Sequence, residues 1–293
     1  MKYSTNKSFC EELDQKDSLK SYKDLFFIPK NKQGKELIYF CGNSLGLQPK
    51  KTKEYIIQEI DDWKTLAVEG HFRAKNPWLP YHEMLSTSYS KLIGAKSSEV
   101  IAMNTLTVNL HLMMVSFYKP KKNKFKILIE KDAFPSDIYA VESQIKFHGF
   151  KTDEALIKLE PRKGEYYIRQ EDIEKIIKEN SNEIALILLG GVNYYTGQLF
   201  DMQKITKVGH EHGIVVGFDL AHAIGNVKLE LNKWNVDFAV WCSYKYLNSG
   251  PGAIAGAFVN ERFHNVELPR FTGWWGHNKK ERFLMDDKFK PIK

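Results

Sequence analysis

Two apolar segments of the sequence end in residues that could do chemistry together. The segment IVVGFD at 214–219 ends in Asp219 and is followed closely by His222, and FAVWCSYK at 238–245 ends in Lys245. An amine that forms an imine and a carboxylate that keeps a pyridine nitrogen protonated are what a Schiff-base cofactor with a pyridine ring requires. Taken alone, a turn-capping aspartate and a surface lysine explain the pair equally well.

A third candidate group follows the apolar run at 100–103, where NTLT leads into a pattern of helical period. The first turn of a helix offers free backbone N–H groups and the positive end of its dipole. Leu106 and Thr107 are therefore candidate phosphate ligands, through backbone amide and hydroxyl. Ordinary capping of the helix by Asn and Thr is the simpler alternative.

A fourth candidate group is DAFPSD at 132–137, directly after another apolar run. Phe134 could stack on a planar cofactor, and Ser136 and Asp137 could reach its polar substituents. A turn that ends in a helix cap is an equally simple interpretation. Ligands of open α/β sheets bind beyond the carboxyl ends of strands, so the combination of four such groups favours one pyridoxal phosphate site.

The elements that must position these groups alternate along the chain. Short apolar runs rich in β-branched residues alternate with helical periodicity from about residue 100, which predicts an α/β fold with a mostly parallel sheet flanked by helices. Strands are predicted at 100–103, 126–130, 155–159, 184–189, 214–219, 238–242 and 253–259. Helices are predicted at 50–63, 81–93, 108–117, 137–147, 170–179 and 201–212.

Composition excludes several classes of protein. With 293 residues, 43% of them hydrophobic, the chain can form a sizeable core. Its +7 formal charge comes from lysines spread along the chain, which argues against a nucleic-acid or membrane partner. The three cysteines lie far apart, which argues against a zinc site or a disulfide framework and predicts a reducing, cytoplasmic location. No apolar run approaches the roughly 18 residues that span a bilayer, and residues 1–20 lack the apolar stretch of a signal peptide.

Several strings of the sequence, in order from about residue 39 onward, resemble the kynureninase family. They are GNSLGL at 42–47, VEGH at 68–71, MNTLTVNLH at 103–111, FPSD at 134–137, YTGQ at 195–198, GFDLAH at 217–222, WCSYKYLN at 241–248 and GWWGH at 273–277. The strings around Lys245 and at 273–277 are the most specific. The resemblance implies a fold-type I pyridoxal-phosphate-dependent, transferase-like large domain that works as a homodimer.

The resemblance also implies a role for each candidate residue. Lys245 would bind pyridoxal 5'-phosphate, Asp219 would pair with the pyridinium nitrogen, and Phe134 would stack on the ring. The other cofactor-binding residues would be Leu106, Thr107, Pro135, Ser136, Asp137, Gly190, His222, Tyr244 and Trp274, with Trp274 reaching in from the neighbouring subunit. Some family members carry Ser or Thr where this chain has Gly190, so a hydroxyl contact from that position is lost here. Asn43, Ser44 and His71 would face the aminophenyl end of the substrate, although His71 alone reads as a structural histidine.

The same resemblance divides the chain in two. Residues 1–60 would contribute to the small-domain side and to dimer contacts, and residues 61–293 would form the cofactor-binding large domain. The family usually continues for roughly another hundred residues into a small C-terminal domain, which supplies an arginine for the substrate carboxylate. We therefore expect that small domain to be absent or truncated here.

The implied activity is hydrolytic cleavage of the Cβ–Cγ bond of L-kynurenine or 3-hydroxy-L-kynurenine. Lys245 would act as general base at Cα, and Tyr244 is the candidate acid/base for the later steps or simply a phosphate ligand. One alternative is another fold-type I activity, such as cysteine desulfuration or transamination. Another is that the shortened chain is catalytically inactive.

Overall fold

The central feature of the computed structural model, which describes residues 3–292, is one seven-stranded sheet. Its strands are β1 (Val100–Ala102), β2 (Lys126–Glu130), β3 (Leu156–Leu159), β4 (Ile184–Gly190), β5 (Val215–Asp219), β6 (Phe238–Trp241) and β7 (Gly256–Val259). They lie in the order β1-β7-β6-β5-β4-β2-β3. The predicted α/β architecture is thus confirmed.

The direction of the strands brings the candidate site residues to one edge of the sheet. Strands β2 to β6 are parallel to one another, while β7 is antiparallel to both β6 and β1. Six of the seven strands therefore point the same way. The segments that follow β1, β2, β5 and β6 therefore all begin at the same edge of the sheet. In that sheet β7 lies between β1 and β6, and β4 lies between β5 and β2.

The helices of the described residues are α1 (Lys7–Lys16), α2 (Thr52–Leu66), α3 (Gly70–Arg73), α4 (Ser86–Ile93), α5 (Leu106–Phe117), α6 (Pro135–Phe147), α7 (Thr152–Ala155), α8 (Gln170–Glu179) and α9 (Met202–Glu211). Those from α4 onward cover both faces of the sheet. The apolar stripes of α8 and α9 pack on one face, together with part of α4. Helices α5 and α6 pack on the other face. Because a parallel sheet is buried on both sides, its strands are continuous apolar runs, as in β4.

The predicted elements are all present, with shifted ends. The strand expected at 155–159 begins at Leu156, because the preceding residues form the single turn of α7. The strand expected at 253–259 begins at Gly256, since Gly250 and Gly252 have positive φ values of 85° and 76° that suit turns. The helix expected at 81–93 is split into a short 3-10 turn and α4.

The N-terminal region packs loosely compared with the sheet. Helix α2 runs to Leu66, past the expected domain boundary at residue 60, and none of its side chains is buried. Among the helices that the structure describes, none has the length and apolar character to cross a membrane.

Candidate active site

Lys245 lies in the turn that follows β6, on the carboxyl edge of the sheet. Its side chain is only 8% exposed. Its Nζ lies 2.8 Å from His222 Nε2 and 5.6 Å from the centre of the Phe134 ring. Within residues 3–292, no carboxylate forms an ion pair with this amine. It is buried beside an aromatic face and a histidine and is therefore available for covalent chemistry.

His222 stands beside this amine as a neutral ring. Burial, and next the charge of Lys245, lower the pKa of His222 to about 4. A neutral imidazole accepts at one nitrogen, so the Lys245 ammonium donates to Nε2. His222 therefore orients the lysine through this hydrogen bond, and because it is neutral it does not attract the nearby carboxylates away from the lysine.

Asp219, the last residue of β5, forms a buried acid pair with Asp137 of α6. Burial raises the pKa of Asp219, while hydrogen bonds from Asp137 and from the Ala221 N–H, and the charge of Lys245, oppose the rise. Burial and the charge of Asp219 raise the pKa of Asp137 well above its usual range. Asp137 therefore carries the proton that the pair shares, and Asp219 carries the negative charge.

The N-termini of α5 and α6 meet at the same edge. Thr107 Oγ1 and Ser136 Oγ are 2.9 Å apart, which joins the first turns of the two helices. Helix α6 begins at Pro135, whose missing N–H is tolerated at that position. Leu106 is the first residue of α5, behind the Thr105 cap. Two helix starts side by side present N–H groups and hydroxyls suited to a phosphate.

A buried asparagine holds the α5 start in place. Asn109 is fully buried and donates to the Met103 carbonyl at 2.8 Å and, less closely, to that of Gly256. It also accepts from Asn104 at 3.0 Å, and Asn104 has the positive φ of 52° that the turn requires. Asn109 lies in the MNTLTVNLH string at 103–111, but nothing in the sequence predicts its role.

The loop at 41–46, with Asn43 and Ser44, packs on the Lys245 turn. Its Gly46 N–H donates to the Tyr244 carbonyl at 2.8 Å. A Cβ at Gly46 would clash with the Lys245 carbonyl oxygen and with Asn248. Because Gly46 has no side chain, the backbone of the loop can lie directly against the backbone of Lys245.

Two of the predicted residues lie apart from this cluster. His71 is an exposed residue of α3 whose ring packs edge-on against Trp78 at 5.7 Å. Trp274 packs with Trp275 and Phe283 near the C-terminus, and its Nε1 donates to the Arg282 carbonyl. No hydrogen bond or ring contact within residues 3–292 connects His71 or Trp274 to Lys245.

Tyr244 and Cys242 are the remaining protic groups near the lysine. Burial raises the pKa of Tyr244 to about 12, and burial likewise raises the pKa of Cys242. Both groups are therefore protonated at neutral pH. The phenol can donate a hydrogen bond, whereas the thiol is a poor nucleophile.

Two further residues of this edge were not singled out in the sequence. Tyr194 packs edge-on against Phe134 at 5.3 Å and lies 6.4 Å from the His222 ring. Glu130 ends β2 and is 3% exposed. Like Asp219, Glu130 is a carboxylate at the end of an apolar strand, so the sequence carries a signal for it.

The chain is similar to one family model and to several curated proteins. The family model described as aminotransferase class-V matches residues 38–268. A kynureninase of Flavobacterium psychrophilum is 56% identical over 97% of this chain and 67% of its own length. A kynureninase of Rattus norvegicus is 46% identical over 98% of this chain and 64% of its own length. The chain thus spans about two thirds of the length of these curated relatives.

Solved structures agree on the fold. A cysteine desulfurase of Thermococcus onnurineus superposes with a TM-score of 0.66 at 19% identity, over 93% of this chain and 62% of that one. A cystine C–S lyase in complex with its product superposes with a TM-score of 0.70 at 16% identity, over 87% and 64%. At such identities the likeness concerns the architecture alone.

Proposed function

We propose that this chain, which belongs to the kynureninase family within the aminotransferase class-V group, supplies the reacting domain of a hydrolase that cleaves a carbon–carbon bond. The substrate would be L-kynurenine or 3-hydroxy-L-kynurenine, and the products would be L-alanine and anthranilate or its 3-hydroxy form. The observation that carries the proposal is the burial of Lys245 between neutral His222 and the aromatic face of Phe134.

The cofactor of the family is pyridoxal 5'-phosphate, and the residues at this edge fit it. Asp137 Oδ1 is buried without a hydrogen-bond partner, as expected of an atom that faces a polar ligand. Asp219 supplies the negative charge that a protonated pyridine nitrogen needs. When bound through Lys245, the cofactor supplies an electron sink for the α-carbon of the substrate.

The remaining cofactor contacts follow from where the side chains lie. Thr107 and Ser136, with the backbone of Leu106 and Pro135 nearby, would hold the phosphate at the paired helix starts. Phe134 would cover one face of the ring. Gly190 has no side chain to offer and would contribute only its backbone position beside Asp219.

Two groups of the chain would move protons. Lys245, oriented by His222, would take a proton from the substrate's α-carbon and later return one. Tyr244 would donate from its phenol to the substrate's ketone oxygen or to the carbon that becomes the methyl group of alanine, because its raised pKa keeps it protonated.

The substrate's aromatic end would meet the loop that carries Asn43 and Ser44. The contact between Gly46 and the Lys245 turn supports this placement. His71 would also contact the substrate's aromatic end, although it lies in an exposed turn and its ring packs against Trp78. Residues 1–60 would serve the small-domain side and dimer contacts, and residues 61–293 would form the cofactor-binding domain.

The assembly would be a homodimer. Ile56, Ile60 and Trp63 are more than half exposed at helical spacing on α2, which is unusual for an isolated surface. Trp274, 43% exposed and apart from Lys245 in its own subunit, would reach the cofactor of the neighbour. No nucleic-acid or membrane partner is proposed, and the three unpaired cysteines favour a cytoplasmic location.

Rival chemistries find less support. A desulfurase needs an exposed, reactive thiol, yet burial raises the pKa of Cys242, and Cys10 lies on α1 in the N-terminal region. Cys41 is exposed in the loop that packs on the Lys245 turn, but no neighbouring cation lies within salt-bridge or hydrogen-bond reach of its thiol in residues 3–292. Three relatives at 53–56% identity carry the name kynureninase, which also counts against an aminotransferase.

The test is to load the purified chain with pyridoxal phosphate and supply L-kynurenine. We expect anthranilate fluorescence to rise with equimolar alanine, and Lys245→Ala to abolish both products. Lys204→Ala serves as the control, because Lys204 pairs with Glu174 away from the site. A loaded chain that releases neither product would contradict the proposal and favour an inactive fragment.

A further inference from the structure

Glu130 is a third buried carboxyl at the carboxyl edge of the sheet, outside the set of residues assigned above. The Gly190 N–H donates to its two oxygens at 3.1 and 3.3 Å. Its neighbour Lys131 turns away to pair with Glu160 at 3.2 Å. Within residues 3–292, the one charge that shifts the pKa of Glu130 is that of Asp219, which has the same sign.

The carboxyl of Glu130 occupies space that a side chain at Gly190 would need. A Cβ on Gly190 would lie 2.9 Å from Glu130 Oε1. Gly190 in turn pairs with Asp219 between β4 and β5. The end of β4 is thus held between the Glu130 carboxyl and the acid that would face the cofactor's ring nitrogen.

Three carboxyls and one lysine therefore share this small region. Burial raises the pKa of Glu130 to about 7, and the charge of Asp219 adds to the rise. A charge on Glu130 also raises the pKa of Asp137. The other titratable groups close to the cluster are Lys245, His222, Cys242 and Tyr244. The histidine is already neutral, and burial keeps the thiol and the phenol protonated. Full ionisation of all three acids is unfavourable, so they share protons.

We propose that Glu130 is a positioning residue for the cofactor's pyridine nitrogen: it fixes the end of β4 and sets how much negative charge the Asp137–Asp219 pair carries. This inference rests on the proposed cofactor. In the neutral form, Glu130 leaves the single charge on Asp219. Once ionised, it adds a second negative charge to the same buried region.

The first test follows the visible absorbance of the loaded chain as a function of pH. Glu130→Gln removes the negative charge that Glu130 acquires as the pH rises through about 7, and this loss disfavours cationic forms nearby, so the pH midpoint of the visible band should fall by about half a unit or more. Glu183→Gln is the matched control, because that carboxylate pairs with Lys126 at the opposite end of the strands. An unchanged midpoint in Glu130→Gln would overturn the inference.

The second test is thermal unfolding of the same samples from pH 4.5 to 8. A buried acid with a raised pKa keeps its proton in the folded state and loses it in the unfolded state, so stability falls as pH rises from about 4.5 to about 7. Relative to Glu130→Gln, the wild type should lose about 5 °C of melting temperature across that window. A constant difference across the window would assign Glu130 a purely structural role and overturn the inference.

A third variant covers the case in which Glu130→Gln does not fold. Gly190→Ala places a methyl group against the Glu130 carboxyl without changing any charge, and should move the band midpoint and weaken cofactor binding several-fold. Gly190→Ala with wild-type spectra and affinity would contradict the inference. Failure of the proposed cofactor looks different, because the wild-type chain itself would then show no visible band, and failure of the proposed activity would show as a loaded wild-type chain with a band but without products.

Discussion

At the residue scale, burial decides which groups around Lys245 are charged. It lowers the pKa of His222 to about 4 and raises that of Tyr244 to about 12. It also forces Asp137 and Asp219 to share a proton. At neutral pH the lysine thus faces one neutral acceptor, one protonated phenol and one principal negative charge.

The protonated phenol leads to a prediction for Tyr244→Phe. Removing the hydroxyl should lower kcat about a hundredfold while the cofactor band remains, because general acids contribute factors of this size. With its pKa at about 12, Tyr244 stays protonated through pH 10, so the wild type should show no loss of activity from phenol ionisation below that pH.

Steady-state kinetics and absorbance spectra measured side by side check this prediction. Tyr139→Phe is the control, since Tyr139 is 69% exposed on α6. A Tyr244→Phe protein with unchanged kcat would remove the tyrosine from the proton-transfer steps and leave it as a phosphate ligand.

At the scale of elements, the packing of the loop at 41–46 against the Lys245 turn depends on Gly46. Gly46→Ala should destabilise the fold by about 1–3 kcal/mol, because the added methyl group overlaps backbone that cannot easily move. It should also weaken cofactor binding, since the displaced carbonyl belongs to Lys245.

Urea unfolding and cofactor titration measure both effects. Gly42→Ala is the matched control in the same loop, because its Cβ would make only ordinary contacts of 3.9 Å with the Tyr246 ring. Equal stability and affinity in the two variants would show that the loop does not bear on the lysine turn.

Much of this arrangement could be predicted from the sequence. Apolar runs located all seven strands, since buried parallel strands are continuously hydrophobic, and polar residues after them located Asp219 and Lys245. Strand order could not be predicted, because periodicity carries no information about which strands pair. Asn109 could not be predicted, because its importance lies in a long-range contact with Gly256. Glu130 carries the same sequence signal as Asp219, a carboxylate at the end of an apolar strand, but its contact with Gly190 is visible only in the structure.

At the scale of the whole molecule, α2 has an apolar side that is exposed in the single chain, and we expect another subunit to cover it. Its exposed residues Ile56, Ile60 and Trp63 recur at helical spacing, so they form one stripe. An exposed apolar stripe of this kind is typical of a surface that binds another protein, and we propose a second subunit as the partner.

The prediction at this scale is that Trp63→Lys weakens self-association at least tenfold. Large aromatic residues dominate interface energetics, and a lysine there would be buried without a partner. Sedimentation velocity over a range of concentrations measures the effect, with Phe147→Lys as the control because Phe147 is 77% exposed on α6. If both variants associate like the wild type, α2 is not part of the interface.

The central claim is that one lysine holds the cofactor. Treating the loaded chain with borohydride would fix the cofactor to its lysine, and peptide mass spectrometry would then locate it. We predict that the label is found on Lys245, and that Lys245→Arg, which keeps the charge, carries none. A label on any other lysine of the wild type, or no label at all, would contradict the account.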